Sequence, residues 1–321
     1  MTKTIKMDPS IECARLPKPD GFRNVSTSIG DSGEAIRLWV REAEADAVFA
    51  TESRAGASIG KSRTEQTYSA KVLVTDAGGT IEHQLPSMTA TFPMIQTLPD
   101  DELLVVAPRC QRFKNGTHEM NARVHDSKGS VKCEFCLGDG IEHTQADCDG
   151  HIWVGYFDEG IFGNCGWGES GDATPLGNSG LVCYDRLGNK VWSFAPPVGF
   201  DSIADCYALN VTKSGVWACY YTDFPIISID SSWDVRGWVT ALSGVRALAV
   251  SGNSVLAYGG YTENRKACKL LQLRDRKAEE VAEVQLRLPN GLDLGESNVI
   301  GRGGFLHVFT GDEWYRFSPE T

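Results

Sequence analysis

Long apolar runs are missing from this chain. None approaches the ~18 residues that a membrane-crossing helix needs, which excludes a helical membrane protein. The N-terminal stretch MTKTIKMDPSIECARLPKPDGF has no apolar core of the secretory-signal kind. The expectation is therefore a cytoplasmic protein whose ten cysteines stay reduced. Positive charge is also short. Lysine and arginine number 31 against 42 aspartates and glutamates, a net charge of −11. Phosphate binding needs basic surface, so neither nucleic acid nor an acidic membrane is an expected partner. No H-E-x-x-H metalloprotease motif is present, and no convincing amphipathic helix stands out.

Glycine, by contrast, is abundant: 34 of 321 residues, where ~7% is typical. The excess, without a G-X-Y period, implies many turns. A recurring segment explains much of it. Met94-IQTLPDDELLVVA, His143-TQADCDGHIWVGY, Tyr207-ALNVTKSGVWACY and Arg246-ALAVSGNSVLAYG each read as two strands joined by a tight turn. Asn298-VIGRGGFLHVF is a shorter copy, and the stretch from Ile36 (IRLWVREAEADAVFATE) a weaker one. A second type alternates with the first, at 71–85, 122–137, 181–194, 226–242 and 269–286. Asp76, Asp126, Asp185 and Asp230 mark its turns, three of them followed by Gly79, Gly129 or Gly188.

One hairpin of each type makes a four-stranded antiparallel unit. With Val48, Leu103, Ile152, Val216, Val255 and Phe305 as equivalent positions, the spacings are 55, 49, 64, 39 and 50 residues. That period is in the range of propeller blades. The pattern predicts an all-β fold, a six-bladed β-propeller in one domain over 1–321, with seven blades as the runner-up and a pair of β-sandwiches as a further rival. Residues 1–22 form an N-terminal extension in this reading. Arg23–Ile29 is the expected strand that completes the last, three-stranded blade and so removes a sheet edge.

The segment Asp147-CDGHIWVGYFDEGI contains D-x-x-G-x-hydrophobic-W-hydrophobic-G. It resembles the signature of YVTN/WD-like, regulator-type bacterial propeller repeats, and GLVCYDRLGNKVWSF resembles their outer hairpin. The resemblance implies a propeller fold and no particular reaction. The chain lacks the repeated GH…WD pairing of true WD40 repeats: Gly150-His151 and Trp233-Asp234 stand once each, in different repeats.

The turns within each hairpin are short, whereas the connections between hairpin types are long, at about 54–67, 109–120, 157–180 and 260–266. In a propeller these emerge on one face, where binding is expected. The 157–180 loop combines Phe157, Asp158, Glu159, Ile161, Phe162 and Trp167 with seven glycines. It reads either as a flap over the central opening or as an Ω-loop packed on its own blade. The first residues of the inner strands should surround that opening: Met94, Glu142–His143, Asp205–Tyr207, Arg246 and Asn298. Tyr221, Asp223, Tyr261 and Arg302 lie nearby in sequence.

These positions support two functions. The first is a binding module that recognises an unidentified protein or small polar ligand through Tyr207, Asp158, Glu159, Phe162, Trp167, Tyr221 and Asp223. The second is a metal-dependent lactonase-like hydrolase or a lyase. Six-bladed sugar-lactone hydrolases hold a divalent cation with Glu, Asn and Asp, and by that analogy Glu142, Asp205 and Asn298 are the candidate ligands for calcium or magnesium. His143 is then the candidate base, as the mouth histidine of streptogramin-lyase-like propellers also implies, and Arg246 the candidate anion clamp. Adjacent strand residues face opposite sides, so Glu142 and His143 need not meet. Cys133-Glu-Phe-Cys136 matches C-x-x-C, but residues three apart on a strand also diverge, so the pair reads as coincidence. Other cysteines, such as Cys183, Cys206 and Cys219, occupy apolar strand positions and read as small hydrophobes.

Overall fold

The computed structural model describes residues 3–13, 15–54, 56–168, 173–289 and 294–320. The chain divides into two compact units, Pro17–Phe194 and Met1–Leu16 with Ala195–Thr321.

The first unit holds three four-stranded antiparallel sheets, each in sequential strand order. Blade 1 comprises Phe22–Ile29, Ala35–Arg41, Arg63–Asp76 and Gly79–Ala90; blade 2 comprises Met94–Leu98, Glu102–Val106, Ala122–His125 and Val131–Phe135. Blade 3 comprises Ile141–Ala146, Ile152–Tyr156, Leu181–Tyr184 and Lys190–Ser193. A two-stranded hairpin, Thr51–Arg54 with Ala57–Gly60, stands apart from them.

The second unit holds the other three. Blade 4 is Asp205–Thr212, Gly215–Tyr221, Ile226–Ile229 and Val235–Trp238. Blade 5 is Val245–Ser251, Ser254–Gly259, Cys268–Arg274 and Lys277–Leu286, with Lys3–Met7 added in parallel as a fifth strand. Blade 6 is Asn298–Arg302, Phe305–Thr310 and Glu313–Phe317, completed by Ile11–Cys13. Six such sheets make the fold a six-bladed β-propeller, as the repeat predicts.

Burial follows strand position. The second strands ELLVV and IWVGY are buried along their whole length. Both of their faces are covered, so their sequences run apolar without alternation. The fourth strands alternate instead, as KAEEVAEVQL does, because one face meets water.

Aspartate sets the turns through its side chain. Asp126 Oδ1 accepts the Lys128 and Ser130 backbone N–H groups at 2.9 and 2.8 Å. Asp185 and Asp230 do the same for Leu187 with Asn189 and for Ser232 with Asp234. The carboxylate thus satisfies turn donors that no strand partner reaches.

Three details depart from the sequence reading. Phe22–Ile29 is the first strand of blade 1, paired with Ala35–Arg41, and not the closing strand. An N-terminal strand does complete blade 6, but it is Ile11–Cys13, so residues 3–13 are integral rather than an extension. Glu42–Val48 is a short helix with Ala45 and Val48 buried one turn apart. Its Ala and Glu content favours helix over strand, and Ala35, not Val48, begins the second strand of its blade.

Within the second unit, the first strands approach very closely. The buried Asn210 side chain donates to the Leu248 and Gly303 carbonyls at 2.8 and 2.9 Å and accepts the Gly303 N–H at 2.7 Å. It therefore links blades 4, 5 and 6. Gly301 is required beside it, since a Cβ there would lie 2.1 Å from the Leu248 carbonyl oxygen.

Candidate functional site

The first strands carry a shared irregularity. Their pairing slips between Asn24 and Ser26, Ile141 and His143, Cys206 and Ala208, and Val245 and Ala247. Val25, Glu142, Tyr207 and Arg246 are thus extra residues near the starts of four first strands. A β-bulge re-aims a side chain and leaves its residue outside the ladder, and bulges gather near functional sites. Three of the four are residues that sequence position alone singles out. Glu142 and Arg246 are exposed and Tyr207 is half-buried.

In the second unit the bulged Tyr207 belongs to an aromatic cluster. Its ring packs edge-to-face on Phe224 at 4.9 Å and on Tyr261 at 6.1 Å. The Tyr261 hydroxyl donates to the Tyr207 hydroxyl at 2.8 Å. Tyr221 approaches Phe224 at 6.0 Å, and Phe224 meets Tyr261 at 5.9 Å. Phe224 is the buried hub, while Tyr221 and Tyr261 remain 46% and 42% exposed. Such edge-on arrangements suit the ring quadrupoles. The turn that delivers Phe224 holds Asp223 and Phe224 in the left-handed region, at φ 64° and 48°, a conformation that persists only where surrounding structure enforces it. Burial first, then the bond to Tyr261, raises the Tyr207 phenol's pKa; Asp205 adds to this and Arg246 opposes it. Asp223 is exposed beside this cluster.

In the first unit the 157–180 loop is more committed to structure than its composition suggests; residues 169–172 lie outside the described residues. Trp167 is only 5% exposed and packs with Cys110 and Cys165, its indole N–H donating to the Cys110 carbonyl at 2.9 Å. Glu159 pairs with Arg109, which also lies 3.1 Å from Asp139. Burial disfavours the Arg109 charge, but Asp139, Glu159 and Cys165 outweigh it and raise its pKa. Trp167, expected as a ligand contact, is therefore turned inward, while Glu159 keeps 36% of its side chain exposed beside Arg109. Asp158 is exposed and Phe162 is 69% exposed.

His143 is half-buried opposite Gly155, and its Nε2 has no hydrogen-bond partner among the described residues. The bulge at Glu142 breaks the strict alternation from which divergence of the two side chains was argued. Of the expected cation ligands, Glu142 belongs to the first unit, and Asp205 and Asn298 open first strands in the second.

Asp147, Asp149 and His151 bring ligand atoms within 4.8 Å of one another at the blade 3 turn. Asp147 Oδ1 already accepts the Asp149 and His151 N–H groups there, at 3.0 and 2.9 Å, so the group serves the turn.

One segment escaped the sequence reading. Gly56-ASIGKS spells G-x-S-x-G and ends in Gly-Lys-Ser. Its first residues lie in the hairpin Thr51–Arg54/Ala57–Gly60, and a strand, Arg63–Asp76, follows. A nucleophile elbow or a phosphate-binding loop needs a strand-to-helix turn, so neither is present.

A family model described as the YxzG family matches residues 177–317. That is under half of the chain, and no YVTN or WD repeat family is shown by it. No curated protein sequence matches. Among solved structures, the chain is similar to a virginiamycin B lyase from Staphylococcus aureus, at 12% identity over 95% of this chain and 97% of that one, with TM-score 0.44. A gluconolactonase from Xanthomonas campestris aligns at 11% identity over 97% and 98%, with TM-score 0.42. The β-propeller domain of the Trilobed protease from Pyrococcus furiosus aligns at 10% over 91% and 80%, with TM-score 0.43. The fold assignment stands on the strand pairing itself. Among the described residues, no helix is long and apolar enough to cross a membrane.

Proposed function

We propose that this protein is a cytoplasmic binding propeller that recognises a small polar ligand, or a protein presenting one, on the long-loop face of the second unit, around the bulged Tyr207. Kinship with YVTN/WD-like repeats is part of this reading, supported by the Asp147–Gly155 pattern. One observation carries it: Tyr221 and Tyr261 keep nearly half their surface exposed although both rings are fixed by the buried Phe224. Rigid aromatic surface with hydroxyl tips is well suited to a ligand that has both a flat face and polar groups. Arg246 and Asp205 supply charge of both signs beside it.

The test is a thermal-shift screen of sugars, nucleosides and carboxylates on the wild-type protein, followed by Tyr221→Ala and Tyr261→Ala. The expected result is a stabilising ligand whose shift disappears in both variants while their unliganded melting temperatures change little. A ligand shift that survives both substitutions overturns the assignment. A lactonase- or lyase-like activity is separated by calorimetry. Calcium or magnesium binding lost in Glu142→Gln or Asp205→Asn would replace the binding-module reading with the enzymatic one.

A further inference from the structure

Cys136 has a partner, though not the one its C-x-x-C spacing implies. Cys133 points away, its thiol reaching the Arg186 carbonyl at 3.6 Å. Cys136 Sγ instead lies 3.5 Å from Cys110 Sγ, 26 residues earlier in the chain. Both are free thiols. A modest closing movement of the two side chains would bring these atoms to S–S bonding distance, ~2.05 Å.

The surroundings hold the pair in place. The Cys110 N–H donates to Asp139 Oδ1 at 2.7 Å, and its carbonyl accepts the Trp167 indole. Asn121 ties together the two backbones that carry the thiols. Its Nδ2 donates to the Ala107 and Gly138 carbonyls at 2.8 and 2.9 Å, and its Oδ1 accepts the Leu137 N–H at 2.9 Å. The thiols also differ in access, since Cys110 is fully buried and Cys136 is half-buried.

We propose that Cys110 and Cys136 are a redox-active pair that closes reversibly to a disulfide on reaction with a hydroperoxide. Cys136 is the attacking thiol. It is the more exposed residue of the two, and its sulfur accepts the Gly138 N–H at 3.4 Å. Hydrogen bonding from Cys110, then the Gly138 N–H and the nearby His118, bring its pKa down to about 7 against the opposing effects of burial and Glu119. The Cys110 thiol is pushed upward and stays protonated. The Cys136 thiolate attacks the terminal peroxide oxygen; the O–O bond breaks and the alkoxide leaves and takes up a proton. Cys136 is then a sulfenic acid. The Cys110 sulfur attacks the Cys136 sulfur, the S–O bond breaks, and water leaves with the Cys110 proton. Two thiols and one hydroperoxide thus give one disulfide, one alcohol and one water. A small dithiol reverses the reaction.

The test treats the folded wild-type protein with one equivalent of hydrogen peroxide, blocks remaining thiols with N-ethylmaleimide and maps peptides by mass spectrometry. The expected result is a cross-linked peptide pair containing Cys110 and Cys136, two hydrogens lighter than the thiols and restored by dithiothreitol. Cys110→Ser should leave Cys136 as a sulfenic acid trapped by dimedone. Recovery of both residues as maleimide adducts while exposed Cys148 is oxidised, or a cross-link between Cys133 and Cys136, overturns the proposal. The wild-type map decides even where a variant fails to fold.

Discussion

Replacing Asn210 by alanine tests whether the three blades of the second unit are tied by hydrogen bonding through one side chain. The residue is fully buried and makes three bonds of 2.7–2.9 Å, one to the first strand of blade 5 and two to Gly303 in the turn after the first strand of blade 6. Each bond contributes a net ~0.5–1.5 kcal/mol. The Gly303 carbonyl keeps a second donor, the Val250 N–H at 3.0 Å, which moderates the loss. The Gly303 N–H, by contrast, loses the Asn210 oxygen as acceptor. Together these give a destabilisation of about 3 kcal/mol. Urea unfolding followed by tryptophan fluorescence measures it, because Trp217 and Trp238 stack within this unit at 5.5 Å. The midpoint should fall with the slope unchanged. A loss below about 1 kcal/mol would refute the claim that this side chain joins the strands.

Three further outcomes are expected. Gly301→Ala should destabilise the same unit by more than about 2 kcal/mol in the same assay, since its Cβ would collide with backbone rather than with a movable side chain. Trp167→Ala should lower stability by about 3 kcal/mol, as a buried tryptophan does; an unchanged melting temperature would return Trp167 to the ligand-contacting role. His307, buried and accepting the Trp314 indole N–H, has its pKa pushed down to about 3 by burial first and then by Arg316. The unfolded chain then binds the proton and the folded one does not. Stability should be full above about pH 6.5 and fall by up to about 1.4 kcal/mol per unit as pH drops toward 3. His125, also depressed by burial, acts in the same sense. In denaturation curves across that range, His307→Asn should be less acid-sensitive than wild type; an equal slope would disprove the assignment.

The candidate site was only partly legible in sequence. Tyr207, Glu142 and Arg246 stood out because polar residues opened strands where apolar ones were due. That they are bulge residues depends on strand register, which no local pattern reveals. The 157–180 loop misled in a specific way. Its aromatic content signalled order correctly, but whether Trp167 faces solvent or Cys110 is set by the 109–121 segment folding beneath it. The Tyr207–Phe224–Tyr261 cluster draws on two loops and one strand, and only Tyr207, Tyr221 and Tyr261 carried any sequence signal.

The sequence by itself determined the propeller, because period-two strands, aspartate turns and a repeat of some forty to sixty residues are local features, each stabilised by short-range hydrogen bonds. It also determined that an N-terminal strand would complete the last blade. Tertiary structure alone chose Ile11–Cys13 over Arg23–Ile29 for that role, since both are short extended segments and only competition for partners separates them. It likewise paired Cys136 with Cys110 rather than Cys133. Contacts between residues distant in sequence depend on how whole strands pack, and spacing along the chain does not carry that information.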